Sequence, residues 1–223
     1  MSHAEEAVAF LRRLYERRAG RVERLPFGAA LITEELPLAH DLNFVLVDRW
    51  DGDAAGLAAA SDAAQGRLGF PHRRTVVLDQ PLVARLWPDL RSLDLGFASR
   101  YLLMAHVREG ERGRNPAVRV VELSSADPGG PRTFGVRAGE AVVASATLFC
   151  ESGVALIEDV ETSEAHRGRG YGSALVLHAV AEARAAGATP IFLPTAEHDW
   201  PQHLYRRLGF ETVALELVFG RPA

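Results

Sequence analysis

The window spanning residues 157–175, IEDVETSEAHRGRGYGSAL, constrains this chain most. Residues 154–161 form a near-continuous apolar run interrupted by acids, which predicts a central strand. A short polar loop follows, and glycines then open a helix predicted over 170–186, with Leu175, Val176, Val180 and Ala181 at helical spacing and Gly187 at its end. A strand, loop and helix in this order present successive backbone N–H groups at the positive end of the helix. Gly168, Gly170 and Gly172 let an anion approach them closely. The segment is built to hold phosphate.

Spacing separates the phosphate-binding motifs. A Walker loop needs Gly-Lys followed by Ser or Thr, and the chain contains no Lys. A dinucleotide fingerprint starting at Gly168 would need Gly or Ala where Ser173 stands, and one starting at Gly170 meets Leu175. The acid such a fold places at the end of the next strand is replaced by Phe192-Leu193-Pro194. What remains is Arg-x-x-Gly-x-Gly, formed by Arg167, Gly170 and Gly172.

With Ile157-Glu158-Asp159-Val160 upstream and Leu204-Tyr205-Arg206-Arg207-Leu208-Gly209-Phe210 downstream, residues 118–221 resemble the GNAT superfamily of acetyl-CoA-dependent N-acetyltransferases. The resemblance implies an α/β fold of the α+β type, a mixed sheet flanked by helices. It also implies acetyl-CoA as cosubstrate and coenzyme A as product. The loop 167–172, with Arg167, Gly168, Arg169, Gly170, Tyr171 and Gly172, would cradle the pyrophosphate, with Ser173 next to it. Val160, Glu161 and Thr162 would bond the pantetheine arm like an added strand. A backbone N–H near Val160 would serve the oxyanion, and Tyr205 would stand near the thioester sulfur as proton donor.

Glu158 is the first candidate for the base that deprotonates an amine acceptor, directly or through water; His198 and His203 are alternatives. Strict alternation sets Leu156, Glu158 and Val160 on one face and Ile157, Asp159 and Glu161 on the other. Asp199 is expected to cap a short helix over 200–208, and Trp200 to be either a packing residue or a lid on the cofactor. Cys150, ending an apolar strand with no His partner in sight, reads as core.

The rest of the chain predicts helices over 5–18, 53–67 and 81–87, and strands over 28–36, 42–47, 74–79 and 97–107. A charged, Gly-containing linker is expected at 108–116. Strands over 118–123, 133–137, 141–149, 190–194 and 212–219 complete the second half, in which SSADPGG makes a turn. An offset of 113 sets Gly96-Phe97 on Gly209-Phe210 (209 − 96 = 113) and LNFVLVDRW on ALIEDVETS. The expected organisation is therefore two tandem GNAT-like halves: a degenerate domain at 1–115 without a cofactor loop, and an acetyl-CoA domain at 116–223. Because only nine residues (124–132) lie between the first two strands of the second half, the first half is expected to supply the missing acceptor wall.

With 25 Lys+Arg against 29 Asp+Glu and a formal charge of −4, the global footprint of a nucleic-acid binder is missing. One cysteine excludes an internal disulfide and a thiolate metal cluster, and fits a reducing cytoplasm. No membrane partner is expected, because no window approaches a spanning length and the first twenty residues are amphipathic rather than a signal peptide. The function expected is acetyl transfer to a primary amine of a small molecule or peptide, by a monomer or a homodimer. The alternative is an acyl-CoA sensor without turnover.

Overall fold

A computed structural model describes residues 1–110, 117–125 and 130–222, apart from the side chain of Ser125. Most of the expected linker and part of the expected SSADPGG turn therefore lie outside the described residues. The chain forms two compact units, one of residues 1–7 and 103–213, the other of residues 8–102 and 214–223. Where sequence reasoning cuts once at 115/116, the units divide inside the long strands. β5 (Phe97–His106) and β11 (Phe210–Arg221) each contribute residues to both.

The second of these units starts with most of α1 (His3–Arg18), whose Glu5 and Glu6 lie in the first turn and Arg17 and Arg18 in the last, as the helix dipole favours. β1 (Arg21–Leu25) and β2 (Gly28–Ile32) form a tight antiparallel hairpin, and β2 pairs antiparallel with β3 (Phe44–Val47). β1 escapes pattern reasoning because RVERL carries three charged residues in five. α2 (Ala54–Arg67) then returns the chain so that β4 (Arg73–Val77) lies parallel to β3. Asp53 caps α2, its carboxylate accepting the Gly56 N–H at 2.7 Å, and Asp79 caps α3 (Gln80–Leu90) through Leu82 N–H at 2.8 Å. β4 is flanked by residues 217–221 of β11, antiparallel, rather than by a strand near it in sequence. The core gathers Val45, Val47, Leu57, Val77, Val83, Leu86 and Phe219.

In the other unit, β6 (Val120–Ser125), β7 (Arg132–Ala138), β8 (Ala141–Glu151) and β9 (Val154–Thr162) form an antiparallel meander. The Gly139-Glu140 and Ser152-Gly153 turns join the last three strands, with positive φ at Gly139, Ser152 and Gly153. α4 (Tyr171–Ala185) crosses to β10 (Ile191–Ala196), which lies parallel to β9, and α5 (Pro201–Arg207) leads into β11. The strand order continues through β9, β10, β5 and β11. α4 buries Leu175, Val176 and Ala179, and its His178 meets Phe134 of β7 edge-on at 4.8 Å. Arg132 ties β7 to its neighbours, bonding both oxygens of Glu122 on β6 and Glu182 on α4 at 2.9 to 3.1 Å. A parallel strand–helix–strand unit thus occurs in each half, β3-α2-β4 and β9-α4-β10. Among the described residues no helix is long and apolar enough to cross a membrane.

Two histidines, His72 buried and His106 half-buried, set a pH dependence of stability. His72, 2% exposed, donates from Nε2 to the Asn43 carbonyl at 2.7 Å, because that oxygen can only accept, and its Nδ1 is buried without a hydrogen bond. His106 accepts on Nδ1 from Arg184 at 3.1 Å. Burial lowers both pKa values below the ordinary 6.5, and nearby arginines push the same way. A group with a lowered folded pKa contributes full stability above the unfolded value, and that contribution is lost as pH falls below it. The melting temperature should therefore fall as pH drops below about 6.5 and do so less steeply in His72→Gln; a flat or rising profile would refute this assignment.

Candidate active site

The site is opened by the register of β9. Its ladder with β8 pairs Glu158 with Thr147 and Glu161 with Ser145, so three steps on β9 face two on β8. The extra residue is taken up around Asp159, whose φ of 53° lies in the left-handed region that Asp tolerates better than most side chains. This bulge corrects the alternation expected from sequence. Thr147 and Ser145 share a face of β8, so Glu158 and Glu161 share a face of β9, because an inserted residue resets the parity of everything beyond it.

On its other side, β9 pairs with β10 through Ile191↔Ala155 and Phe192↔Leu156. β9 then runs on to Thr162 and β10 to Ala196, and among the described residues these extensions do not pair with each other. The far end of β9, which carries Val160, Glu161 and Thr162, thus presents a backbone edge to which an extended ligand can add as a strand.

A 3₁₀ turn, Glu164–His166, leads from β9 into the glycine loop. Arg167 Nε donates to Thr162 O at 3.3 Å, Ser163 Oγ lies 2.8 Å from His166 Nδ1, and Arg169 donates to Ala165 O at 3.4 Å. The loop is thereby folded back on the strand end. Gly168 and Gly170 have φ of 75° and 82°, which glycine adopts without strain. Gly170 is the N-cap of α4 and has no side chain to cap with, so the first N–H groups, from Tyr171 through Ser173, have neither an intrahelical carbonyl nor a side-chain cap. Gly172 differs from the other two, since it is helical and a Cβ there would lie 3.8 Å from Thr162 Oγ1 and 4.0 Å from Leu204 Cδ2, in ordinary contact. Packing does not demand glycine at 172; its absent side chain leaves the first turn bare.

Those contacts join the end of β9, the start of α4 and α5, where Leu204 precedes Tyr205. Tyr205 is 6% exposed. Burial, reinforced by the negative charge of Asp199, pushes its pKa up to about 12. The hydroxyl therefore holds its proton throughout the neutral range and can donate it.

Around Tyr205 the remaining candidates separate. His198 and His203 are exposed, and His198 Nε2 lies 3.7 Å from Glu197 Oε2. Trp200 is 61% exposed, which excludes the packing role. Asp199 does not cap α5 as expected. Its carboxylate accepts the Trp200 N–H at 2.7 Å, and Trp200 itself is the N-cap residue, because a turn closed by Asp199 N–H to Ala196 O shifts the helix start by one residue. Cys150 is half-buried rather than core, and burial pushes its thiol pKa up, away from nucleophilic character. Sequence reasoning missed the bulge at Asp159 and the action of Asp199 on Tyr205. The only signal for the first is that Asp is among the few residues to enter the left-handed region; the second depends on the Ala196 to Asp199 turn.

Residues 100–210 match the acetyltransferase (GNAT) family. Over 61 residues the chain is 41% identical to streptothricin acetyltransferase of Streptomyces lavendulae, a match that covers 27% of this chain and 32% of that relative. The fold is shared nearly end to end with a GCN5-related N-acetyltransferase from Kribbella flavida, with TM-score 0.66, 20% identity, and 99% and 95% of the two chains covered. It is also shared with a conserved protein of unknown function from Staphylococcus epidermidis, with TM-score 0.69, 13% identity, and 92% and 94% covered.

Proposed function

The chain belongs to the acetyltransferase (GNAT) family through residues 100–210, and from that premise we propose that it transfers the acetyl group of acetyl-CoA to a primary amine. The observation that carries this reading is the unpaired far edge of β9 beside a helix N-terminus stripped of side chains at Gly170 and Gly172. An elongated ligand with a peptide-like arm and a diphosphate fits both at once.

Arg167, Gly168, Arg169, Gly170, Tyr171, Gly172 and Ser173 would bind the diphosphate, chiefly through backbone N–H groups and the positive helix end. Val160, Glu161 and Thr162 would bond the pantetheine arm, with Trp200 at the rim. Acetyl-CoA supplies an activated acetyl group as a thioester. Glu158 would take the proton that the amine must lose before it can attack, directly or through water. A backbone N–H near Val160 would donate to the developing oxyanion, where the bulge turns the β9 backbone out of its ladder. Tyr205 would give its proton to the departing sulfur and recover one from solvent.

Unit by unit, the same strand–helix–strand plan makes one phosphate site and spoils the other. At the start of α2 the carboxylate of Asp53 already occupies the helix N-terminus that an anion would need. We therefore assign cofactor binding to 116–223 and regard 1–115 as a degenerate GNAT-like half. The residue roles are tested by steady-state rates of free-thiol release with a turned-over amine. Tyr205→Phe and Glu158→Gln should each lower kcat about 100-fold. Rates unchanged in both variants would refute the roles.

A further inference from the structure

The pairing of β4 with β11 sets two arginines, Arg73 and Arg221, directly opposite each other. Like charges in that position repel. Asp62 of α2 answers both, its Oδ1 accepting from Arg73 Nε at 3.0 Å and from Arg221 Nη2. Arg73 also donates from Nη1 to the carbonyls of Phe70 and His72. Arg221 gives Asp62 one of the five N–H donors of a guanidinium, and its side chain has no other partner among the described residues. One carboxylate thus serves two cations.

These three side chains line a cavity of about 250 Å³ in the unit of residues 8–102 and 214–223. Asp94, in the loop before β5, lines it too, and its exposed carboxylate has no hydrogen bond or ion pair among the described residues. Apolar surface comes from Ala58 and Ala59 of α2, whose small side chains leave the space open, and from Leu95 and Phe219. Gln65 and Thr75 also line it, 0% and 1% exposed, but their polar groups are satisfied by each other, by Ser61 and by the Arg74 N–H. The groups left for a ligand are therefore a guanidinium with open donors, an unpaired carboxylate and an apolar wall.

A simple anion would meet Arg221 but leave Asp94 unpaired beside it, and a simple amine would do the reverse. A zwitterion engages both. We propose that this cavity binds a free amino acid with an aliphatic side chain, its carboxylate on Arg221, its ammonium on Asp94 and its side chain against Ala58, Ala59, Leu95 and Phe219. This is a second ligand site, in the unit that lacks the glycine loop, and it does not depend on acetyl transfer.

Calorimetric titration of the full chain without coenzyme compares L-leucine with 4-methylpentanoate and 3-methylbutylamine, which keep its isobutyl body and lack the ammonium or the carboxylate. L-Leucine should bind with a Kd of about 1 mM or tighter, and about tenfold more tightly than either analogue. Asp94→Asn should bring leucine down to the affinity of 4-methylpentanoate. Arg221→Gln, which leaves Arg73 on Asp62, should bring it down to that of 3-methylbutylamine. Ala59→Leu keeps a strong helix former in α2 while filling the cavity, and should abolish binding with the melting temperature retained. No detectable binding of L-leucine, L-isoleucine or L-valine at about 10 mM, or equal affinity for leucine and its two analogues, would overturn the proposal. Leucine binding unchanged in Asp94→Asn and Ala59→Leu would place the amino acid elsewhere on the chain and overturn it as well.

Discussion

Gly170→Asp is expected to weaken acetyl-CoA binding about 1,000-fold, equivalent to about 4 kcal/mol. Gly170 is the N-cap of α4 at φ 82°. A carboxylate there would crowd the N–H groups that the first helical turn leaves open. It would also set a negative charge where two further negative charges must be held. Both effects oppose the same ligand, and the left-handed φ should add only a conformational cost of about 1 kcal/mol to folding. Calorimetric titration of the variant and the parent reads the difference. Binding of the variant within threefold of the parent would remove the loop from the site.

The second large effect is structural. Gly209 has φ 94°, and a Cβ there would lie 2.0 Å from the carbonyl oxygen of Arg108 and 3.0 Å from Gly110 N, both backbone atoms that cannot swing aside. The neighbouring bond from Val107 N–H to Gly209 O, at 3.1 Å, holds this approach closed. Gly209→Ala should cost about 4 kcal/mol of unfolding free energy, at the upper end for a point substitution, because it combines left-handed strain with a collision. Gly187→Ala is the matched control: φ is 75° but nothing lies within 4 Å of its Cβ, so only the conformational cost of about 1 kcal/mol should appear. Denaturant titration distinguishes the two. Equal losses would mean that the close approach of residues 108–110 contributes nothing to the stability of this unit.

Elements with a strong local period were legible from residues alone. The central strand and glycine-opened helix of the site stand as β9 and α4, and Asp53 and the 53–67 helix stand with the cap in place. What was not legible is non-local or depends on a single dihedral angle. RVERL becomes a strand only because β2 pairs with it. Nothing in residues 217–221 announces that their partner is β4, far away in sequence, so cutting the chain once in the middle was the natural reading. The facing of Glu158 and Glu161 turned on one left-handed residue, Asp159. At the site, backbone features could be read from glycine spacing, while the consequences of burial could not: the proton held on Tyr205 and the exposure of Trp200 both follow from how a short helix packs.

On the proposed reading, acetyl leaves acetyl-CoA for an amine at the cleft between β9 and β10. The most direct measurement is free-thiol release from acetyl-CoA by the full chain across small amines, diamines, amino acids and peptide N-termini, with the acetylated product weighed by mass spectrometry. Thiol release should saturate with amine and match acetylated amine one to one. Saturable binding of acetyl-CoA with thiol release no faster in any amine than in buffer would contradict it and leave a protein that senses the coenzyme without turning it over.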